Sequence, residues 1–159
     1  MRDPSATFDS RLDECYTYPT KQEERNNMET FLYLSPEWAE EAARRLRRDL
    51  TPERMKHLTS SMLTVYTNCP DGRRRAVYYG LVDGVVQEVS VQEGETSRAE
   101  FTITGDYETF ARISQAELKA RAALMSGKLT LKGNLVKALR LAPVVDRLNE
   151  VLATIPTDF

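Results

Sequence analysis

A chain of 159 residues is long enough for one domain with a real core, burying roughly two-thirds of the surface its unfolded form exposes. Its 22 Lys+Arg against 24 Asp+Glu give a net charge of −2, which lacks the basic footprint of a general nucleic-acid binder. Mean hydropathy is −0.49 and no apolar run approaches the roughly 18 to 20 residues of a membrane span, so the chain reads as a soluble protein.

Residues 1–27 hold few aliphatics and many Asp, Glu, Arg, Thr and Ser, without the apolar stretch of a secretory leader. They read as a flexible tail, with the packed domain over 28–159 and Met28 as an alternative start. Cys15 and Cys69 stand far apart with no metal-ligand spacing, and are expected to be reduced thiols in a cytoplasmic protein.

Ser35-Pro36-Glu37 is a helix-start signal. Trp38, Ala42, Leu46 and Leu50 recur every four residues beyond it, and Glu40→Arg44 and Glu41→Arg45 are favourable i,i+4 pairs. The run Arg44-Arg45-Leu46-Arg47-Arg48 reads as a solvated helix face in preference to a phosphate site. Thr51-Pro52-Glu53 predicts a short helix carrying Met55 and Leu58.

From Ser60 the apolar period changes to two. Strands are predicted over Ser61 to Thr67, Arg74 to Val82 and Val85 to Val91, with Asp83-Gly84 as a two-residue hairpin. Ala99, Phe101 and Ile103 mark a fourth strand, and short connections predict an antiparallel meander. Asp106 caps a helix with Tyr107, Phe110 and Ala111, and Glu117 to Ser126 gives a second. Leu129 and Leu131 mark a fifth strand, and Leu135 to Leu152 a last helix interrupted at Pro143.

Catalytic material is sparse. His57 is the sole histidine and has no nucleophile motif beside it, so it reads as a surface residue. Metal ligands are too few for a site, and no cofactor is expected. Glu23-Glu24 and Glu40-Glu41 are carboxylate pairs on solvated segments. Gly127-Lys128 is not a phosphate loop, because Ala122 stands where Gly is required and Leu129 where Ser or Thr is. Arg73-Arg74-Arg75 reads as a soluble hairpin tip before a phosphate or CoA contact.

In Leu135 to Val145 apolar residues cover most of the helix circumference, whereas a helix on a sheet needs only a stripe. Core packing, a dimer contact and an apolar ligand pocket are the three uses for that surplus.

Phe101-Thr102-Ile103-Thr104-Gly105-Asp106-Tyr107-Glu108-Thr109-Phe110, Met125-Ser126-Gly127-Lys128-Leu129-Thr130-Leu131-Lys132-Gly133-Asn134 and Leu139-Arg140-Leu141-Ala142-Pro143 together resemble the sterol-carrier-protein-type lipid-binding domain in its small stand-alone prokaryotic form. Ser35-Pro36-Glu37-Trp38 fits the same resemblance, which spans about residues 31 to 156. It implies an α+β fold: a five-stranded, mostly antiparallel sheet covered by helices, enclosing an apolar cavity. By family position Phe101, Ile103, Phe110, Ile113, Leu124, Met125, Leu131, Leu135, Leu139 and Leu141 fall at or near that cavity. The resemblance implies a ligand that is a fatty acid, fatty acyl-CoA, phospholipid or sterol/isoprenoid, and a domain that is not an enzyme alone.

The expected function is therefore non-catalytic binding or transfer of an apolar lipid in the cytoplasm, in a cavity of at least a few hundred Å³. Partners would be the lipid and at most a transient membrane surface, with no nucleic acid, and the chain a monomer or homodimer. The alternative is a protein-interaction or dimerisation module using the same apolar surface. An enzyme acting on acyl-CoA thioesters is a third reading, which His57→Ala tests. The end Thr157-Asp158-Phe159 is not a peroxisomal address.

Overall fold

The Ser35 hydroxyl accepts a hydrogen bond from the Trp38 N–H at 3.1 Å, and Pro36 takes the first helical position. In the computed structural model, which describes residues 29–159, helix α1 accordingly runs Pro36–Asp49, preceded by a short strand β1, Phe31–Leu32. The tail expected over 1–27 lies outside the described residues. Trp38, Ala39, Ala42, Ala43 and Leu46 form the buried face of α1. On its outer side Glu41 binds Arg45 at 2.5 Å and Arg44 at 2.6 Å, so Arg44 pairs with Glu41 rather than Glu40. Arg47 donates to the Val86 and Gln87 carbonyls, and Arg48 pairs with Asp49. The basic run is thus engaged within the fold.

The Arg44 hydrogen bond, with help from Arg45, holds the Glu41 carboxyl at about 2, below its ordinary 4.5. A carboxyl depressed on folding stabilises the fold above its unfolded pKa, and that contribution is lost as pH falls through the folded value. Glu41→Gln is therefore expected to cost about 1 kcal/mol at pH 7, fading from about pH 4.5 towards pH 2. Urea unfolding across that range checks it; a loss independent of pH would assign the effect to packing instead.

Thr51 to Leu58 forms successive turns, not the expected short helix. Lys56 and His57 adopt φ of +52° and +51°, a left-handed pair that no right-handed helix accommodates. Met55 is nonetheless fully buried.

Strands β2 (Ser60–Thr67), β3 (Arg75–Val82) and β4 (Val85–Glu93) are antiparallel neighbours, with Met62 opposite Tyr79 and Tyr79 opposite Val89. Asp83-Gly84 turns the hairpin with φ of +50° and +77°, the conformation an Asp-Gly pair favours. A side chain at Gly84 would meet the Pro52 backbone at 2.8 Å, so the turn also seats the segment beneath it.

The expected meander stops at β4. Strand β5 (Phe101–Asp106) inserts beside β2 and parallel to it, Met62 facing Phe101 and Tyr66 facing Gly105. Strand β6 (Leu129–Lys132) then pairs antiparallel with β5, giving the order β4-β3-β2-β5-β6. The physical reason lies on the outer face of the sheet. Residues 94–100 cross it, and Ala99 packs there on a small second core of Leu63, Val65, Ala76 and Tyr78. Leu63 and Val65 alternate with Met62, Thr64 and Tyr66, so β2 buries both faces as a central strand does. The sheet is five-stranded and mostly antiparallel, as expected.

Helices cover the inner face. Asp106 caps α2 (Tyr107–Ser114) by accepting from the Thr109 N–H at 2.8 Å. Helix α3 is only Ala120–Met125, shorter than Glu117 to Ser126, because Ala116 at φ +58° keeps the preceding residues in turns. Asn134 caps α4, Leu135–Leu152, which passes through Pro143 uninterrupted. Buried Ala142 and Val144 flank the proline, and Leu148, Val151 and Leu152 follow; packing on both sides outweighs the lost backbone bond. Strand β7 (Thr157–Asp158) closes the fold by pairing in parallel with β1. Among the described residues no helix is long and apolar enough to cross a membrane.

Candidate functional site

The seam between α4 and the inner sheet face is apolar but incompletely filled. Three adjoining clefts of about 70, 50 and 30 Å³ occupy it. Ile103 from β5 and Val145 from α4 line all three, so the clefts meet at this pair. The widest has walls of Met55, Leu58, Met62, Leu81, Phe101, Leu131, Leu141, Val144 and Leu148, with Ser60 and Ser61 as its polar atoms. The smallest is more polar at its floor, where Thr64, Tyr66, Tyr79, Ser114 and Asn149 join Phe110 and Ile113. The remaining one lies under α3, between Leu124 and Leu139.

These volumes fall short of the few hundred Å³ expected, because Val144, Val145 and Leu148 from α4 fill much of the space above Met62 and Ile103. Eight of the ten expected cavity residues line one cleft or more: Phe101, Ile103, Phe110, Ile113, Leu124, Leu131, Leu139 and Leu141. Met125 and Leu135 do not. Met125 ends a six-residue helix in which Ala123 is the buried position, and it is 69% exposed. Leu135 opens α4, whose buried positions begin at Ala142, and it is 50% exposed. The apolar surplus of this helix is thus divided: Val144 and Leu148 into the core, Leu141 and Val145 onto the clefts, Leu135 and Val136 into solvent.

Other lining residues escaped the sequence reading. Val144, Val145 and Leu148 follow Leu141 at the i, i+3, i+4, i+7 spacing of one helix face, a signal already present in the chain. Met62 could have been found from its alternation with Thr64 and Tyr66. Met55 and Leu58 carried no such signal, since they sit on irregular turns.

A polar rim flanks the widest cleft. Glu100 accepts from the Ser60 hydroxyl at 2.6 Å and from the Lys137 ammonium, which lies 5.9 Å over the Phe101 ring. The Lys137 hydrogen bond holds the Glu100 carboxyl below its ordinary range. Deeper in the core, the Tyr33 hydroxyl joins Ser114 at 2.8 Å and Tyr66 at 3.2 Å, and burial pushes the Tyr33 phenol well up.

The groups weighed for catalysis lie elsewhere. His57 Nδ1 is 2.9 Å from Asp83 Oδ1 on an exposed turn. Arg73, Arg74 and Arg75 pair with Glu93, Glu95 and Asp71 at 2.9, 2.5 and 2.5 Å, so the hairpin tip is a salt-bridged surface. Cys69 is a buried free thiol whose pKa burial raises, the reverse of an activated nucleophile. Among the described residues no group of three or more His, Cys, Asp or Glu is placed to hold a metal ion.

Residues 76–146 match the SCP-2 sterol transfer family. No curated protein matches the chain. A crystal structure of sterol carrier protein 2 is similar at a TM-score of 0.69 and 23% identity, covering 77% of this chain and 98% of that one. A conserved hypothetical protein of Thermus thermophilus, described as a possible sterol carrier protein, has a TM-score of 0.66 and 25% identity over 83% of this chain and 93% of that one. The sterol carrier protein domain 2 of Helicoverpa armigera follows at 0.52 and 17%, with 73% and 93% covered. The sterol-carrier-type resemblance read from the sequence is borne out, and with it the α+β fold.

Proposed function

We propose that this chain, which has the SCP-2 fold and matches the SCP-2 sterol transfer family over residues 76–146, takes one apolar lipid into the seam between α4 and the sheet. The ligand class is a fatty acid, fatty acyl-CoA, phospholipid or sterol, bound without chemistry in the cytoplasm. One observation carries this reading: three mostly apolar clefts that meet at Ile103 and Val145. Each buried methylene is worth about 0.8 kcal/mol, so ten give about 8 kcal/mol before ordering costs.

Admitting a whole chain requires the clefts to merge. The half of α4 before Pro143 supports that movement, since residues 135–141 are all exposed or half-buried, whereas the buried positions Ala142, Val144, Leu148, Val151 and Leu152 all follow. Met55 and Met62 on the facing wall can re-pack around differing shapes.

Titration with the fluorescent fatty acid cis-parinaric acid tests the proposal. Saturable binding of one molecule per chain is expected, displaced by palmitate and unchanged in His57→Ala. Failure to bind fatty acid, phospholipid or sterol alike would refute it. A second reading, dimerisation through exposed Leu135 and Val136, predicts a dimer on a sizing column that Val136→Ser splits.

A further inference from the structure

The polar side chains of the smallest cleft fall into two sets. Tyr66 and Ser114 join the Tyr33 hydroxyl at 3.2 and 2.8 Å, and Thr64 donates to the Val77 carbonyl at 3.2 Å. Tyr79 and Asn149 line the same cleft, and neither side chain makes a hydrogen bond among the described residues. Tyr79 reaches the cleft from β3 and is 3% exposed. Asn149 is half-buried and reaches it from α4, one turn beyond Val145 on the same helix face. A buried polar group without a partner is costly, and native folds rarely keep one without a use. Here two of them enter one cleft from the sheet and from the helix that covers it.

Charge is missing from this end of the seam. Neither the smallest nor the widest cleft has Lys, Arg, Asp or Glu in its walls. Burial, with Tyr66 nearby, pushes the Tyr79 phenol well up, so it remains a neutral donor. Cations stand at the edges instead, with Lys137 over the Phe101 ring and Arg121 on the cleft under α3.

We propose that Tyr79 and Asn149 are a specificity-determining pair, selecting a single-chain lipid that ends in an uncharged oxygen, a long-chain alcohol, over the corresponding fatty acid. The Tyr79 hydroxyl donates to the alcohol oxygen, which in turn donates to the Asn149 side-chain carbonyl. At about 30 Å³ the cleft has room for one small polar group. Met62, Ile103, Val145 and Leu148 line both this cleft and the widest one, so the chain runs on between them. A neck of four side chains takes one extended chain, not fused rings or paired chains. A carboxylate at Tyr79 would lie buried without a counter-ion, at high cost. A fatty acid therefore enters the other way round, with its head left at the edge of the seam. This selection rests on the lipid-binding reading of the seam.

Displacement of cis-parinaric acid by hexadecanol and by palmitate tests it, with the full chain and its Tyr79→Phe and Asn149→Leu variants. Loss of one neutral hydrogen bond should weaken hexadecanol about fivefold in each variant, with palmitate unchanged. Because the Tyr79 hydroxyl bonds nothing in the fold, Tyr79→Phe should keep a urea midpoint at or above the parent's. Tyr79→Phe alone decides if Asn149→Leu does not fold. Hexadecanol binding unchanged in Tyr79→Phe, or palmitate weakened in step with hexadecanol, overturns the inference. So does a lowered midpoint in Tyr79→Phe, which would assign the hydroxyl a structural bond. A parent that binds both lipids while neither variant discriminates them refutes the selection and leaves the carrier reading standing. A parent that binds neither lipid refutes the carrier reading and this selection with it.

Discussion

Trp38→Ala is expected to lower the free energy of unfolding by about 3–5 kcal/mol, the range for deleting a buried aromatic side chain. Trp38 is 1% exposed and meets Tyr33 edge-on, with ring centroids 5.0 Å apart. Tyr33 in turn contacts the rings of Tyr66, Tyr107 and Phe159. Its hydroxyl joins β2 to α2 through Tyr66 and Ser114. A void at Trp38 therefore loosens α1 together with the aromatic cluster that ties both ends of the described chain to the sheet. The cost cannot relax away, because Ser35 and Pro36 pin the start of the helix. Trp38→Phe retains most of the packing and should cost less than half as much. Urea unfolding of both variants checks the expectation; a loss under about 1 kcal/mol for the alanine would mean that α1 is not docked on this cluster.

Val145→Trp is expected to weaken fatty acid binding at least tenfold while leaving the fold intact. Val145 is half-buried and lines every one of the three clefts, so an indole placed there grows into existing space before it displaces the core. Blocking the junction denies the ligand a continuous path. Losing contact for even two methylenes removes about 1.6 kcal/mol, already more than tenfold. Ile103→Trp reaches the same junction from the sheet and should act alike. Met125→Ala, outside every cleft, should not affect binding in solution. If both tryptophan variants fold, as read by urea midpoint and circular dichroism, and bind as the parent does, the seam is not the lipid site.

Much of this fold is legible where local chemistry decides it. Ser35-Pro36, Asp106 and Asn134 start their helices as hydrogen-bonding caps, and Asp83-Gly84 turns the hairpin that its left-handed preference dictates. Non-local pairing is where the reading failed. Nothing in the loop 94–100 announces that it crosses the sheet, because the stabilising contact, Ala99 on Leu63 and Val65, joins distant parts of the chain. Pro143 misled for a related reason: proline's local cost is fixed, but the packing of Ala142 and Val144 that offsets it is tertiary.

The candidate site divides in the same way. Of the residues named by family position, Phe101, Ile103 and Leu141 lie on regular elements that direct them onto the widest cleft. Met125 and Leu135 line none of the three clefts, because they sit at helix ends where the buried face runs out.

Native mass spectrometry of the purified chain, followed by organic extraction and identification of what it carries, decides whether the seam between α4 and the sheet holds a lipid. An apolar lipid is expected at close to one per chain, or loaded to that level after incubation with palmitate, and absent from Val145→Trp. A chain that carries nothing and loads nothing from fatty acid, phospholipid or sterol would contradict it, and a lipid held equally by Val145→Trp would move the site elsewhere.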